Sequence, residues 1–211
     1  MALPSRIFVT GTNTDVGKTV ISSILVAGLK SHYWKPIQTG APEHDDSQWI
    51  QRHTGLPGSH FHSETYRFKK PLSPHAAAAD EGAHISLDKF ELPDTDQQMV
   101  VEGAGGILVP LNSQDYMLDL IIRLAIPVLI VADSQLGTIN HTLLTLEQLR
   151  RSEVEVLGVV LNGPLNNRNR DAIEHYGSIR VLAEIEPLPD FLPATLESCF
   201  HRCFNSQCTS N

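Results

Sequence analysis

A glycine-bounded loop near the N-terminus combines residues that suit phosphate chemistry. Gly11-Thr-Asn-Thr-Asp-Val-Gly17-Lys18-Thr19 follows the apolar run Ile7–Thr10 and precedes a helical pattern over Val20–Lys30. This order of strand, loop, Lys-Thr pair and helix is typical of a phosphate-binding P-loop, although five residues separate the glycines where four are usual. The loop amides can bind phosphate oxygens, Lys18 adds a positive charge, and the Thr19 hydroxyl can bind Mg²⁺. The flanking pattern disfavours the alternative, a glycine-rich turn without a ligand.

Two further segments place charged residues directly after predicted strands. Lys35-Pro-Ile-Gln-Thr39-Gly40 offers a second cation to a γ-phosphate, whereas the alternative is an ordinary exposed lysine. Val100-Val-Glu102-Gly-Ala-Gly-Gly106 puts a carboxylate at the end of a buried strand, before glycines that allow close backbone approach to a ligand. A buried glutamate is costly unless a cation such as Mg²⁺ compensates it, and a β-bulge is the alternative interpretation. Asp45 and Asp46 begin a helix, where one can cap and the other can bind Mg²⁺.

Weaker signals come from a few turns and histidines. Ser73-Pro74-His75 is by itself only a helix start with proline at the first position. Asn162-Gly163-Pro164 has the composition of a turn, and its amide could contact the edge of an adenine. His60 and His62 are interpreted as loop residues, with a paired ligand role left open.

Strand-sized apolar runs alternate with helical patterns along the chain. The strand candidates are Ile7–Thr10, Met99–Glu102, Pro127–Ala132 and Val156–Leu161, with weaker ones at Tyr33–Ile37 and Arg180–Ile185. The helix candidates are Val20–Lys30, Asp46–His53, Tyr116–Leu124, Thr138–Arg151 and Asn167–Tyr176. This alternation predicts an α/β fold: a mostly parallel sheet covered by helices on both faces, with ligands beyond the carboxyl ends of the strands. We predict a single P-loop NTPase-like domain over residues 1–204, a helix and surface loop over residues 43–74, and a disordered tail over residues 205–211.

Composition narrows the class of protein. A chain of 211 residues with 41% hydrophobic residues suits one globular domain. Its 24 acidic and 16 basic residues give a net charge of −8, which argues against nucleic-acid and anionic-membrane partners. Without an evident signal peptide or membrane span, we expect a cytoplasmic protein. Cys199, Cys203 and Cys208 all lie near the C-terminus, which does not describe a disulfide framework, and their spacing matches no common zinc motif.

Taken together, these segments resemble the dethiobiotin synthetase family, ATP-dependent carbamate-forming ligases of biotin synthesis. The resemblance covers nearly the whole chain and depends on five segments in order. They are Gly11–Thr19, Lys35–Gly40, Ser73–His75, Val101–Gly106 and Leu136–His141.

The resemblance implies ATP, CO₂ or bicarbonate, and 7,8-diaminononanoate as substrates, Mg²⁺ as cofactor, and a homodimer with substrate near the subunit interface. Lys18 and Lys35 would neutralise charge during phosphoryl transfer, while Thr19, Asp46 and Glu102 would bind Mg²⁺. ATP would contact Thr14, Asp15, Val16, Gly17, Lys18, Thr19, Val20, Asp46, Glu102, Gly103, Ala104 and Gly105, with adenine near Asn162, Gly163, Glu186, Pro187 and Leu188. The diamine would contact Thr39, Ser73, Pro74 and Gly106.

Two other families with the same type of loop are alternatives. Amide-forming ligases of corrinoid synthesis carry a glutamine amidotransferase domain, which 211 residues cannot accommodate. Partitioning or positioning ATPases usually have an extra lysine within the loop, where this chain has Asn13, Thr14 and Asp15. They also need a surface for DNA or membrane, which the net charge of −8 disfavours.

Overall fold

Seven parallel strands form the central sheet of the computed structural model, which describes residues 3–205. The strands are β1 (Arg6–Gly11), β2 (His32–Trp34), β3 (Ile37–Gln38), β4 (Phe61–His62), β5 (Tyr66–Arg67), β6 (Met99–Gly106), β7 (Val128–Asp133), β8 (Val156–Asn162) and β9 (Val181–Ile185). The helices are α1 (Lys18–Leu29), α2 (Asp46–Thr54), α3 (Pro74–Asp80), α4 (Met117–Leu124), α5 (Thr138–Arg151), α6 (Asn167–Gly177) and α7 (Pro193–Phe200). The order across the large sheet is β4-β2-β6-β1-β7-β8-β9, and β3 pairs with β5 in a small parallel sheet.

The apolar residues of the central strands are buried on both faces of the sheet. Ile7 and Val9 of β1 belong to a cluster with α1 and α7, whereas Phe8 belongs to the opposite cluster with α4, α5 and α6. Successive side chains of a strand point to opposite faces, so a continuous apolar strand needs cover on both. The cover over α1 is close, because a Cβ atom on Gly28 would lie 2.0 Å from the Phe200 ring.

The predicted fold class is confirmed, and so are the four strong strands and the five helices. The prediction of one strand over Tyr33–Ile37 is wrong: β2 ends at Trp34 and β3 begins at Ile37. Pro36 lies between them and lacks the N–H that would continue the ladder. The interpretation of residues 43–74 as helix and loop is also incomplete, because β4 and β5 lie there.

Other differences concern element ends and the C-terminus. The strand β6 does not stop at Glu102 but continues through the glycines to Gly106. Helix α3 begins at Pro74, as the helix start at Ser73-Pro74-His75 predicts, whereas helix α7 was not predicted. Helix α7 continues into a π-helical segment, His201–Asn205. The predicted tail, except for Asn205, and Cys208 lie outside the described residues. Cys199 is buried and Cys203 is half-buried, and both are free cysteines.

Strand order brings the chemically interesting loops to one edge of the sheet. β6 lies between β1 and β2, so the P-loop after β1, Lys35 after β2 and Glu102 on β6 are neighbours. None of the helices between residues 3 and 205 combines the length and apolar composition of a membrane span.

Candidate active site

The P-loop is fitted closely around its lysine. A Cβ atom on Gly11 would lie 2.7 Å from the Asn13 carbonyl oxygen and 3.0 Å from Lys18 Nζ, so this position needs glycine. Gly17 has a φ of 94°, a left-handed conformation that also favours glycine. Lys18 is buried and donates a hydrogen bond to the Asn13 carbonyl at 3.0 Å. Burial lowers the pKa of Lys18 to about 8, against the opposing effect of the Glu102 carboxylate.

Two carboxylates converge on the Thr19 hydroxyl at the start of α1. Thr19 Oγ1 lies 2.9 Å from Asp46 Oδ1 and 3.0 Å from Glu102 Oε1. A hydroxyl carries one proton, so it can donate to only one of these oxygens at a time. Asp45, by contrast, caps α2 by accepting a hydrogen bond from the Gln48 amide at 2.8 Å. The two aspartates therefore divide the roles that the sequence left open, and Asp46 is the one that faces the P-loop.

Lys35 is buried between the same two carboxylates. Its Nζ lies 2.7 Å from Asp46 Oδ2 and 2.9 Å from Glu102 Oε1, and the residue is 4% exposed. Burial acts to lower the pKa of Lys35, but Glu102 and Asp46 outweigh it and raise the pKa above its usual value. Burial acts to raise the pKa of Asp46, but the Lys35 ammonium group outweighs burial and lowers this pKa below its usual value. The alternative of an ordinary exposed lysine is wrong.

The oxygen atoms of Thr19, Asp46 and Glu102 fit the hard, compact coordination that Mg²⁺ prefers. Among residues 3–205, no group of three or more His, Cys, Asp or Glu could hold a metal ion by itself. A cation that is shared with nucleotide phosphates needs only a few protein carboxylates, because the phosphates and water supply its other ligands. The donor set therefore fits Mg²⁺ bound together with a nucleotide.

Sequence reasoning missed two buried residues, of which Tyr33 contacts the Glu102 carboxylate and Gln38 contacts the Asp46 backbone. The Tyr33 hydroxyl donates to Glu102 Oε2 at 3.1 Å, and burial with the nearby Glu102 raises the pKa of Tyr33 well above its usual value. Gln38 Oε1 accepts from the Asp46 amide at 3.1 Å, while its Nε2 donates to the His44 carbonyl at 2.7 Å. Tyr33 lies two residues before Lys35, and side chains two residues apart in an extended segment point to the same side. This spacing could have indicated Tyr33 from the sequence, whereas no sequence pattern indicated Gln38.

An open cleft of about 810 Å³ lies over the P-loop and the carboxylates. Most of the predicted site residues line it: Thr14, Asp15, Gly17, Lys18, Thr19, Val20, Lys35, Thr39, Asp46, Ser73, Pro74, Glu102, Ala104 and Gly105. Of the weaker candidates, His62 does not lie in the cleft; its Nε2 is hydrogen-bonded to His32 Nδ1 at 2.8 Å on the edge strand β4.

The remaining predicted residues lie beside or behind this cleft. Asn162 at the end of β8 donates from Nδ2 to the carbonyl of buried Val16 at 3.0 Å, so it lies against the P-loop. The Gly163 amide donates to the Ile185 carbonyl at 2.8 Å. Gly103 and Gly106 lie in β6, and Glu186, Pro187 and Leu188 follow β9. The structure therefore gathers the phosphate and metal candidates in the cleft, but not the adenine candidates.

Comparison with known proteins gives this arrangement a family. A family model described as an AAA domain matches residues 5–195. ATP-dependent dethiobiotin synthetase BioD of Paramagnetospirillum magneticum is 52% identical over 190 residues, which is 90% of this chain and 92% of that protein. The chain belongs to the dethiobiotin synthetase family. BioD of Lawsonia intracellularis is 44% identical over 193 residues, covering 92% of this chain and 93% of that protein.

Membership of the dethiobiotin synthetase family makes the protein an ATP-dependent ligase of biotin biosynthesis. A ParA family ATPase from Chlorobium tepidum has a similar structure, with a TM-score of 0.58, coverage of 97% of this chain and 93% of that one, but 13% identity. At that identity the similarity shows the fold alone. The alternative of a partitioning ATPase is therefore supported at the level of the fold only, whereas the sequence relatives are dethiobiotin synthetases.

Proposed function

We propose that residues 1–204 form one catalytic domain that closes the ring of 7,8-diaminononanoate with CO₂ to give dethiobiotin, in the cytoplasm. The observation that carries this proposal is the convergence of two buried lysines and two carboxylates at one edge of the sheet. Lys18 and Lys35 are 8% and 4% exposed, and Lys35 Nζ contacts both Asp46 and Glu102. A carbamate anion that approaches a triphosphate needs cations beside it, and Lys18, Lys35 and a Mg²⁺ ion held by the two carboxylates would supply them.

The proposed reaction has three steps. One amine of the substrate adds to CO₂ and loses a proton, which gives a carbamate. A carbamate oxygen attacks the γ-phosphorus of ATP, so that ADP leaves and a mixed carbamic-phosphoric anhydride forms. The second amine then attacks the carbonyl carbon, expels phosphate and closes the cyclic urea. Holding the second amine near the carbonyl makes proximity a large part of the rate.

Several residues of the cleft have a defined role in this proposal. Lys18 binds the outer phosphates, and Lys35 neutralises charge between carbamate and γ-phosphate. Thr19, Asp46 and Glu102 would hold Mg²⁺, which supplies charge neutralisation at the phosphate oxygens when it is bound. The substrate-side wall consists of Thr39, Ser73 and Pro74, which line the same cleft as the lysines, together with Gly106 nearby on β6. Adenine is proposed to lie beyond the cleft, near Asn162, Gly163, and the loop Glu186-Pro187-Leu188.

A homodimer is part of the proposal. Leu144 on α5 and Tyr176 on α6 are 63% and 72% exposed, and both line a surface groove of about 300 Å³ between these helices. Large exposed apolar side chains that are grouped on one face suit contact with another protein surface. Sedimentation of the wild type and of Leu144→Glu tests this, since the substitution should convert a dimer into monomers, and a wild-type monomer would contradict the proposal.

The proposed activity is tested by measuring phosphate release from ATP with each substrate left out in turn. Release should require both the diamine and bicarbonate, and should not respond to added DNA or lipid vesicles. Turnover that is stimulated by DNA or vesicles, and is indifferent to the diamine, would instead support a nucleotide-switched positioning ATPase.

A further inference from the structure

The two carboxylate oxygens of Glu102 have different partners. Oε1 faces the Thr19 hydroxyl at 3.0 Å and Lys35 Nζ at 2.9 Å, on the side of the P-loop. Oε2 accepts a hydrogen bond from the Tyr33 hydroxyl at 3.1 Å. The Glu102 side chain is 0% exposed, so protein groups and not bulk water must satisfy its oxygens.

The sheet itself aims the Tyr33 hydroxyl at this carboxylate. Tyr33 on β2 is paired with Val100 on β6, and Glu102 lies two residues further along β6. Residues two apart on a strand point to the same face, so Val100 and Glu102 lie on the face that carries the Tyr33 ring. Tyr33 is 0% exposed, and its ring packs beside Phe61 with 6.0 Å between the ring centroids. The hydroxyl is therefore fixed by strand register and core packing.

We propose that Tyr33 is a positioning residue that holds Glu102 for metal binding. With Oε2 engaged by Tyr33, the carboxylate cannot turn both oxygens toward the P-loop, and Oε1 stays directed at the Thr19 hydroxyl. Mg²⁺ demands a strict octahedral arrangement, so a carboxylate of fixed orientation suits it better than one that rotates. This inference rests on the proposed metal site of Thr19, Asp46 and Glu102.

The test is the binding of Mn²⁺ in the presence of ADP, measured from the electron paramagnetic resonance signal of free Mn²⁺. Tyr33→Phe keeps the buried ring and removes only the hydroxyl. Loss of a hydrogen-bond partner of a metal ligand typically costs 10–100-fold in affinity, so we expect Mn²⁺ to bind at least about tenfold more weakly. Tyr66→Phe is the control, because it also removes a hydrogen-bonded hydroxyl, one that accepts from the Ser86 amide at 3.0 Å and does not contact the site. The control should bind Mn²⁺ like the wild type, within about twofold of it.

A third variant separates this inference from the proposed metal site. If Glu102→Gln weakens Mn²⁺ binding and Tyr33→Phe does not, Tyr33 only fills the core and the inference is wrong. If Glu102→Gln binds Mn²⁺ normally, the metal site is wrong and the role of Tyr33 is lost with it. Should Tyr33→Phe not fold, infrared difference spectra of wild type labelled with ring-¹³C tyrosine replace it. A tyrosine band that shifts on Mg-ADP binding, and not in Glu102→Gln, supports the inference, and an unchanged band overturns it.

Discussion

Removal of the Lys35 ammonium should have opposite effects on metal binding and on turnover. In the structure Lys35 Nζ lies between Asp46 Oδ2 and Glu102 Oε1, at 2.7 and 2.9 Å. It therefore compensates the same two carboxylates that are proposed to bind Mg²⁺. Lys35→Met keeps an unbranched apolar chain and removes the charge, which leaves the carboxylates facing each other.

The size of the effect follows from burial. Removing one partner of a buried ion pair costs about 3–5 kcal/mol, and since Asp46 is 29% exposed we expect the lower limit, about 3 kcal/mol. For a domain of this size that lowers the melting temperature by roughly 6–12 °C. A bound cation should relieve part of this repulsion. Relief of about 1.4 kcal/mol makes Mn²⁺ bind roughly tenfold more tightly than to the wild type. Turnover should nevertheless fall about 100-fold or more, because the charge that faces the transferred phosphoryl group is lost.

Thermal unfolding and Mn²⁺ titration of the wild type and Lys35→Met check the predicted fall in melting temperature and the predicted rise in Mn²⁺ affinity. Lys30→Met is a suitable control, because Lys30 also pairs with a glutamate, Glu197, but its side chain is 52% exposed. The control should leave both measurements close to the wild type. An unchanged melting temperature in Lys35→Met, or Mn²⁺ binding that is equal or weaker, would refute the idea that Lys35 and the metal share these carboxylates.

Three further predictions follow from the same geometry. Lys18→Ala should abolish ATP binding and turnover with the fold intact, and Lys18→Arg should restore little because the loop closes tightly on Nζ, as titration calorimetry and activity assays would show. Glu102→Gln and Asp46→Asn should each raise the Mg²⁺ concentration needed for half-maximal activity; if neither does, the metal assignment is wrong. Burial and a neighbouring imidazole lower the pKa values of His32 and His62, so the unfolded chain takes up protons first as the pH falls below 6.5. The melting temperature should therefore fall on acidification through that window, and less so in His62→Asn; an equal fall in both proteins would contradict this.

The P-loop and the grouping of its partners could be predicted from the sequence because both depend on local or topological rules. Gly11, Gly17 and the Lys-Thr pair have fixed spacing within one loop. Glu102 could be placed near Thr19 because the carboxyl ends of parallel strands meet at one edge of a sheet. These inferences need no knowledge of side-chain contacts.

The buried contacts of the site could not be predicted in the same way. The salt bridges of Lys35 depend on the break between β2 and β3, and the weak apolar run there did not reveal that break. The strands β4 and β5 have two residues each, too few to show a periodic pattern. Helix α7 carries Leu196, Cys199 and Phe200 at helical spacing, but its eight residues between prolines and a polar tail were not recognised as a helix.

The most direct test of the proposed reaction is to follow the carbon of ¹³C-bicarbonate in the presence of ATP, Mg²⁺ and 7,8-diaminononanoate. Mass spectrometry should detect dethiobiotin with one ¹³C atom, in an amount equal to the phosphate released. Lys18→Ala should give neither product. Phosphate release from the wild type without labelled dethiobiotin would contradict the proposed ring closure.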